Sequence, residues 1–557
     1  MSPRYFARAP RRDLADSLMP RLALILSGAG SLGSFEAGVL TELLWTLEHE
    51  WRTPDPSRRW TLDIITGASA GAMTAALVAR ALMADRRAIR SLHAAWVKEI
   101  DIRDLLREPP ATAVLSKEPI RAIAARHLSA PAADAVPAVH APEHLRLRFT
   151  LANLNGVDWR YPLAESDQAF VATFFADGVR FDVTRSNARD PALWERVRGA
   201  AIASGNFPLA FVPELLTREE RDFRDHALAA FPGSFAYCDG GLFDNEPIGE
   251  AIDLAFEQDG GTIAPDRAFV LVDANLNRSR HAATFTEHEP LLANAMRLGT
   301  MVRGEAATLD WLKSQRVNNE CDWRDRVLDD LVDMVRDNRL DDAGAFSASL
   351  YRTASHIVAT KRAIFPDRYK ASYLDDALER TRRTHANRLI GLTTLQQEIL
   401  VRLIFLLNSV AGLDKKQQLK IGLIYTEARL TAGDTLGAFG GFFRQEWREY
   451  DYRLGRRAAR ARLVTLLSLD APPPLEPGFE QEYEIPASWE RFKDATLAEA
   501  DMAPRIALRD MLVARARHVI ETQAIGPRWL RWLTRPAAKA AVAGAVRAKL
   551  DRLLGLD

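Results

Sequence analysis

Gly67-Ala68-Ser69-Ala70-Gly71 reads G-x-S-x-G and stands between a short apolar run, Leu62 to Thr66, and an alanine-rich helical stretch. A serine on such a sharp strand-to-helix turn has an exposed hydroxyl, and small neighbours let a carbonyl approach it. The N-terminus of the following helix favours negative charge developing nearby. The chemistry served is nucleophilic attack by Ser69 on an acyl group. Glycine, alanine and serine are common residues, however, and the pentapeptide alone also fits a plain small-residue turn.

Upstream, Gly28-Ala29-Gly30-Ser31-Leu32-Gly33 reads G-x-G-x-x-G, again between a strand-like run and a helical one. A dinucleotide-binding turn of this form expects an acidic residue about 20 positions on, at the end of the second strand. Asp55 lies instead in a polar, proline-containing loop, and the second strand ends in the serine turn. The other chemistry open to such a turn is an oxyanion hole, formed by backbone N–H groups clear of side chains. A third element, Asp239-Gly240-Gly241, follows the strand-like run Phe235 to Cys238. It places a carboxylate at a strand end with open backbone around it, suited to accepting a serine proton. Standing alone, Asp-Gly is a common turn.

Together, in this order, the three elements resemble the patatin-like phospholipase family. Ser34 to Leu40 (SFEAGVL), the stretch Ala203 to Pro213 (ASGNFPLAFVP), Asn245 and Pro247 add to the resemblance. It covers Arg21 to Asn277 and implies an α/β fold of three layers, α/β/α, with a mainly parallel sheet and a Ser-Asp dyad. Carried onto this chain, Ser69 is the nucleophile, Asp239 the proton acceptor, and Gly28, Ala29 and Gly30 the oxyanion-hole backbone. Gly33, Gly67, Gly71, Gly240 and Gly241 are the supporting glycines. No metal or cofactor is implied. The substrate class is a lipid or acyl ester, with fatty acid released from phospholipid or lysophospholipid. Many members have a third glycine and then Arg or Lys, where this chain has Ala29 and Leu32. Backbone donors survive that change, whereas Leu32 supplies no basic grip on a substrate phosphate.

Three rival readings stand beside this one. The first is a soluble esterase or thioesterase acting on smaller acyl groups. The second is a catalytically idle lipid-binding scaffold, disfavoured by the intact motif residues. The third is a Ser-His-Asp triad, for which His281, His288, His356, His385 and His518 follow in the chain order an α/β-hydrolase needs. None of these histidines sits in a strand-end loop with small neighbours, and the serine turn comes early, on the second strand.

The elements that must position these residues are legible as periodicity. Leu22 to Leu26 and Leu62 to Thr66 are continuous apolar runs, as in strands covered on both faces, and strand-turn-helix in succession implies parallel strands with right-handed crossovers. Leu145 to Asn153 and Phe269 to Asp273 read as further strands, and the Ala/Pro-rich stretch Ser129 to His144 as a surface loop. After Asn277 helical spacing dominates: Val327, Leu328, Leu331 and Val335, then Ile399, Leu403, Ile404 and Leu407. The expected divisions are a disordered basic leader over 1–20, the catalytic domain over 21–277, a helical region over 278–470, a Pro-rich linker over 471–486, and C-terminal helices over 487–557.

Within the helical region, Gly437 to Arg460 is dense in aromatics and arginines. It loosely resembles an extension that follows the patatin-like domain in some bacterial members. The reading favoured is a helix packing Phe442, Phe443, Trp447 and Tyr450 on the core, with Arg and Asp in surface pairs. At the C-terminus, Trp529, Leu530, Trp532 and Leu533 stand among Arg528, Arg531 and Arg535, and Val542, Val546, Leu550 and Leu553 form a helical stripe. This segment suits either peripheral membrane contact or docking on its own domain.

The totals set outer bounds. Lys+Arg and Asp+Glu are 74 each, so no global field draws the 557-residue chain to nucleic acid. Cys238 and Cys321 are two isolated thiols, too few for a disulfide framework. No signal-peptide core and no run of about 18 apolar residues appears. The expectation is a cytoplasmic protein, with peripheral membrane contact as the variant and an arginine-rich transit peptide as the less favoured alternative.

Overall fold

A computed structural model of the protein describes residues 19–162, 169–208, 210–223, 231, 233–274, some residues between 313 and 335, 343–364, 370–411, 413, 419–426, 430–522 and 536–556. The leader and the tryptophan-bearing segment Arg528 to Arg535 lie outside the described residues.

The sheet grows from its most apolar segments. β1 (Arg21–Leu26) pairs in parallel with β2 (Thr61–Gly67) on one side and β7 (Arg267–Asp273) on the other. β2 pairs in parallel with the first half of β3 (His144–Pro162), and β3 forms a long antiparallel hairpin with β4 (Ala169–Thr184). Farther along β3, residues Leu151 to Asn153 pair with β6 (Ser234–Asp239), which carries β5 (Glu214–Thr217) on its outer edge. An eighth strand, β8 (Lys420–Tyr425), pairs in parallel with β7. It comes from the stretch expected to be helical, 278–470.

The continuous apolar strands face two cores. Leu22, Leu24 and Leu26 point to one side with Leu62, Ile65, Val270 and Val272, while Ala23 and Ile25 point to the other with Ile64, Phe269 and Leu271. Such alternation is what a strand buried on both faces requires. The first face is covered by α1 (Gly33–Trp51), α2 (Ala70–Met83), α3 (Glu118–His127) and α4 (Pro191–Ser204), the second by α5 (Ile248–Gln258). The result is a three-layer α/β/α fold. Helices α6 (Ala343–Ile364), α7 (Tyr373–Thr384) and α8 (Thr394–Val410) bury a separate group of side chains, among them Ala354, Leu374 and Phe405.

The later part of the chain returns to the first core. α9 (Gln445–Leu466) lies along α1, and the two backbones touch where a glycine of each faces the other helix. A Cβ on Gly38 would overlap the Tyr452 carbonyl, and one on Gly455 would overlap the Phe35 carbonyl. Phe442, Phe443, Trp447 and Tyr450 are buried there, as the aromatic stripe predicts. The charged residues are a correction to the reading of surface pairs, because Arg448, Asp451 and Arg456 are buried with them. Arg456 spans helices and loop: its guanidinium pairs with Glu42 of α1 at 3.2 Å, with Glu476 at 2.9 Å, and with Glu482. The Pro-rich stretch 471–486 is therefore docked on α9 through Glu476 and Glu482, whereas its composition reads as a free linker. In the stretch Ser129 to His144, Ala135, Ala138, His140 and Ala141 are buried. The last helices, α10 (Met502–Thr522) and α11 (Pro536–Leu553), pair with each other. Among the described residues, no helix is long and apolar enough to cross a membrane.

Candidate active site

Ser69 stands between the end of β2 and the start of α2 with φ 53° and ψ −123°. That region is unfavourable for a residue with a side chain, and the surroundings hold it there. The Ser69 N–H donates to Ser204 Oγ at 3.0 Å, and that hydroxyl donates to the Thr150 carbonyl at 2.8 Å. Ala68 N–H donates to the Leu26 carbonyl at 3.1 Å, joining the ends of β1 and β2. Gly71 lets helix α2 approach these strands, since a Cβ there would press on the Leu26 and Ser27 carbonyls.

Asp239 reaches the same point from the far side of β3. Pairing of Leu151 with Asp239 sets the height of the β6 terminus, and the Asp239 N–H donates to the Asn206 carbonyl at 3.0 Å. Asn206 is itself held by its amide, which donates to the Val212 carbonyl at 2.7 Å. Gly240 has no room for a side chain because the Thr150 carbonyl lies against it. Here the Ser69 hydroxyl donates to Asp239 Oδ2 at 2.6 Å, while Oδ1 accepts from the Gly241 N–H at 2.8 Å. Both side chains are buried. The arrangement can move a proton from hydroxyl to carboxylate directly, with no third side chain between them. The neighbouring Cys238 thiol is pushed up to about 11 by burial and by the Asp239 charge, which keeps it protonated.

The glycine turn adjoins the serine. Gly28 packs on the Ser69 Cβ, and the Asn245 side chain fills the space a Cβ on Gly28 would need. Its own N–H donates to the Asn245 carbonyl at 3.1 Å. Gly28 is thus committed elsewhere, which narrows the three backbone donors expected from the sequence. The N–H groups of Ala29 and Gly30 donate to no other group among the described residues. Gly30 adopts φ +57° and borders the same cavity as Ser69. Gly33 lies against the Trp96 ring, so its smallness serves packing beneath the turn. Gly67 and Gly71 meet backbone to backbone, and Gly241 faces the Asn245 amide.

A cavity of about 930 Å³, counting the space open at its mouth, extends from Ser69 and Asp239. Its walls are apolar: Met73 and Leu77 from α2, Ile120 and Ile123 from α3, and Phe207 and Phe439. Of the five histidines available to a triad, His356, His385 and His518 do not line it, and His281 and His288 lie outside the described residues. A sixth, His127, does line it, but its ring nitrogens are engaged by Glu99 at 2.9 Å and Ser91 at 3.0 Å. The supporting roles of Thr150 and Ser204 carry no sequence signature, because each is a single small polar residue placed by tertiary packing.

An α/β/α sheet with a strained serine elbow and a strand-end aspartate within hydrogen-bond reach defines the class of fold and site. Residues 24–252, which include Ser69 and Asp239, match the patatin-like phospholipase family model. Residues 426–529 match a second family, described as a protein of unknown function (DUF3376). The chain is 24% identical over 317 aligned positions to the uncharacterized protein y4iI of Sinorhizobium fredii, covering 41% of this chain and 44% of that protein. It is 29% identical over 217 positions to the uncharacterized membrane protein Rv3479 of Mycobacterium tuberculosis, covering 35% of this chain and 20% of that protein. The chain therefore spans less than half the length of either relative.

Proposed function

We propose that this protein is a serine acyl-ester hydrolase working through a Ser69–Asp239 dyad. The observation that carries the reading is the 2.6 Å hydrogen bond between the two side chains at the head of an apolar cavity. Asp239 takes the hydroxyl proton as Ser69 Oγ bonds to the ester carbonyl carbon. The resulting oxyanion accepts hydrogen bonds from Ala29 N–H and Gly30 N–H. Collapse expels the alcohol, which leaves with the proton from Asp239, and the acyl group stays on Ser69. Asp239 then takes a proton from water, whose oxygen bonds to the acyl carbon, and returns that proton to Ser69 Oγ as the acyl–oxygen bond breaks and the fatty acid is released.

The apolar walls favour a long acyl chain, as in a phospholipid or lysophospholipid. A second reading, a neutral or small acyl ester as substrate, is favoured by Leu32: it is buried and replaces the basic residue of many family members, so this position holds no cation for a phosphate. Labelling by an alkyl fluorophosphonate tests the dyad. Wild type should label, Ser69→Ala should not, and Asp239→Asn should label far more slowly. Equal labelling of all three proteins removes the hydrolase reading.

A further inference from the structure

The cavity beside Ser69 is not built from the patatin-matching residues alone. Phe439 and Phe442 line it, and both belong to the stretch 426–529 that matches the second family. We propose that the arch Thr435–Phe443 is part of the acyl-binding site, and that the ring of Phe439 sets how much acyl chain the cavity accepts. The proposal rests on the reading of Ser69 as the nucleophile.

The arch crosses directly above the glycine turn. The Ala438 carbonyl lies so close to Gly30 that a Cβ there would collide with it. To make this crossing, Leu436, Gly437 and Ala438 all adopt positive φ, at 54°, 64° and 69°. Two of them carry side chains, so the conformation is strained and must be held by its surroundings.

What holds it is a set of buried hydrogen bonds. Ser31 Oγ donates to the Gly433 carbonyl at 3.3 Å and accepts from the Gly441 N–H at 3.0 Å. The Asp451 carboxyl accepts from Ala432 N–H at 2.7 Å and Gly433 N–H at 2.9 Å. Arg448 donates to the carbonyls of Gly441 at 2.9 Å and Phe442 at 3.2 Å. Both ends of the arch are thereby fastened to Ser31, in the turn that carries the proposed oxyanion donors. A backbone held this firmly fixes where its side chains point.

The rings occupy the space between. Phe439 meets Phe207 edge to face at 5.3 Å and Phe442 at 5.8 Å. Phe207 comes from the patatin-matching part, so the two families meet ring to ring in one wall. Phe442 is buried, whereas Phe439 is only partly so and borders empty volume. A ring placed for packing alone has neighbours on all sides. This one has a free face toward the space where an acyl chain on Ser69 would run.

The test uses full-length Phe439→Ala, Phe439→Leu and Phe439→Trp with p-nitrophenyl acetate, octanoate and dodecanoate. The readout is the ratio of kcat/KM for dodecanoate to that for acetate, which a merely stabilising ring would not move. The ratio should rise roughly tenfold in Phe439→Ala, rise less in Phe439→Leu, and fall in Phe439→Trp, the range a few methylenes in a pocket provide. The same ratio in all four proteins overturns the proposal. A second measurement needs no hydrolysis: binding of cis-parinaric acid, followed by its fluorescence, to Ser69→Ala protein with and without Phe439→Trp. The added Trp should weaken binding several-fold, and unchanged affinity overturns the role of the arch. If wild type hydrolyses none of the esters, the hydrolase reading falls while the binding measurement still decides the arch.

Discussion

Ser69 and Asp239 stand 170 positions apart in the chain, yet the hydroxyl of one donates to the carboxylate of the other at 2.6 Å. Replacing Asp239 by Asn keeps the shape and an oxygen for the Gly241 N–H, but removes the proton acceptor. We expect kcat/KM on a p-nitrophenyl ester to fall by about 10²–10⁴ with little change in melting temperature. Retained activity in Asp239→Asn would assign the proton to another group.

Two glycines with positive φ separate strain from function. Gly233 at φ +78° has no atom against a Cβ among the described residues, so Gly233→Ala should lose about 1–2 kcal/mol of stability and no activity. Gly30 at φ +57° carries the same strain and also faces the Ala438 carbonyl. Gly30→Ala should therefore displace the turn and lower kcat by roughly 10²-fold or more, the scale of losing an oxyanion donor. Paired melts and initial rates on the two variants decide this.

Arg456 ties α1, α9 and the Pro-rich stretch together, with no part of its side chain exposed. Arg456→Met would leave Glu476 and Glu482 to Arg90 alone among the cations and Glu42 to Arg460, at 3.1 Å, within the described residues. Removing one partner of a buried ion cluster destabilises by about 3–5 kcal/mol. Urea unfolding should show that loss, and a midpoint equal to wild type would contradict the assignment.

His140 is buried with neither ring nitrogen partnered among the described residues, and burial lowers it to about 4. In the unfolded chain it takes a proton near 6.5. The unfolded state thus binds more protons between these values, and stability present above pH 6.5 is lost as pH falls toward 4. The contribution is about 3 kcal/mol. His385, also lowered to about 4 by burial and by Arg324 and Arg388, acts in the same direction. Melting temperature against pH should fall less steeply below 6.5 in His140→Phe, and an unchanged slope would exclude the effect.

Much of the site's frame was legible because buried parallel strands announce themselves as unbroken apolar runs. Leu22 to Leu26, Leu62 to Thr66 and Phe269 to Asp273 all lie in strands of the sheet. β8 escaped notice because it is a short edge strand, interrupted by Gly422 and surrounded by helical spacing. The docking of Glu476 and Glu482 was hidden behind proline-rich composition, since its cause is a guanidinium on a distant helix. Arg448, Asp451 and Arg456 look like surface charges in any helical plot, and their burial depends on partners far away in the chain. The Phe439 ring was the hardest to foresee. Its neighbours Phe442 and Phe443 read correctly as core, and nothing local distinguishes a ring with one free face.

The crossing of Gly38 and Gly455 has a consequence for how the molecule is made. Helix α1 leaves the ribosome some four hundred residues before the helix that presses on its glycine face. Until then the nascent chain carries an apolar stripe, with Phe35, Val39 and Leu43 around it, lacking its final cover. The N-terminal half therefore cannot reach its finished packing by vectorial folding, and synthesis must run nearly through α9 before the fold closes.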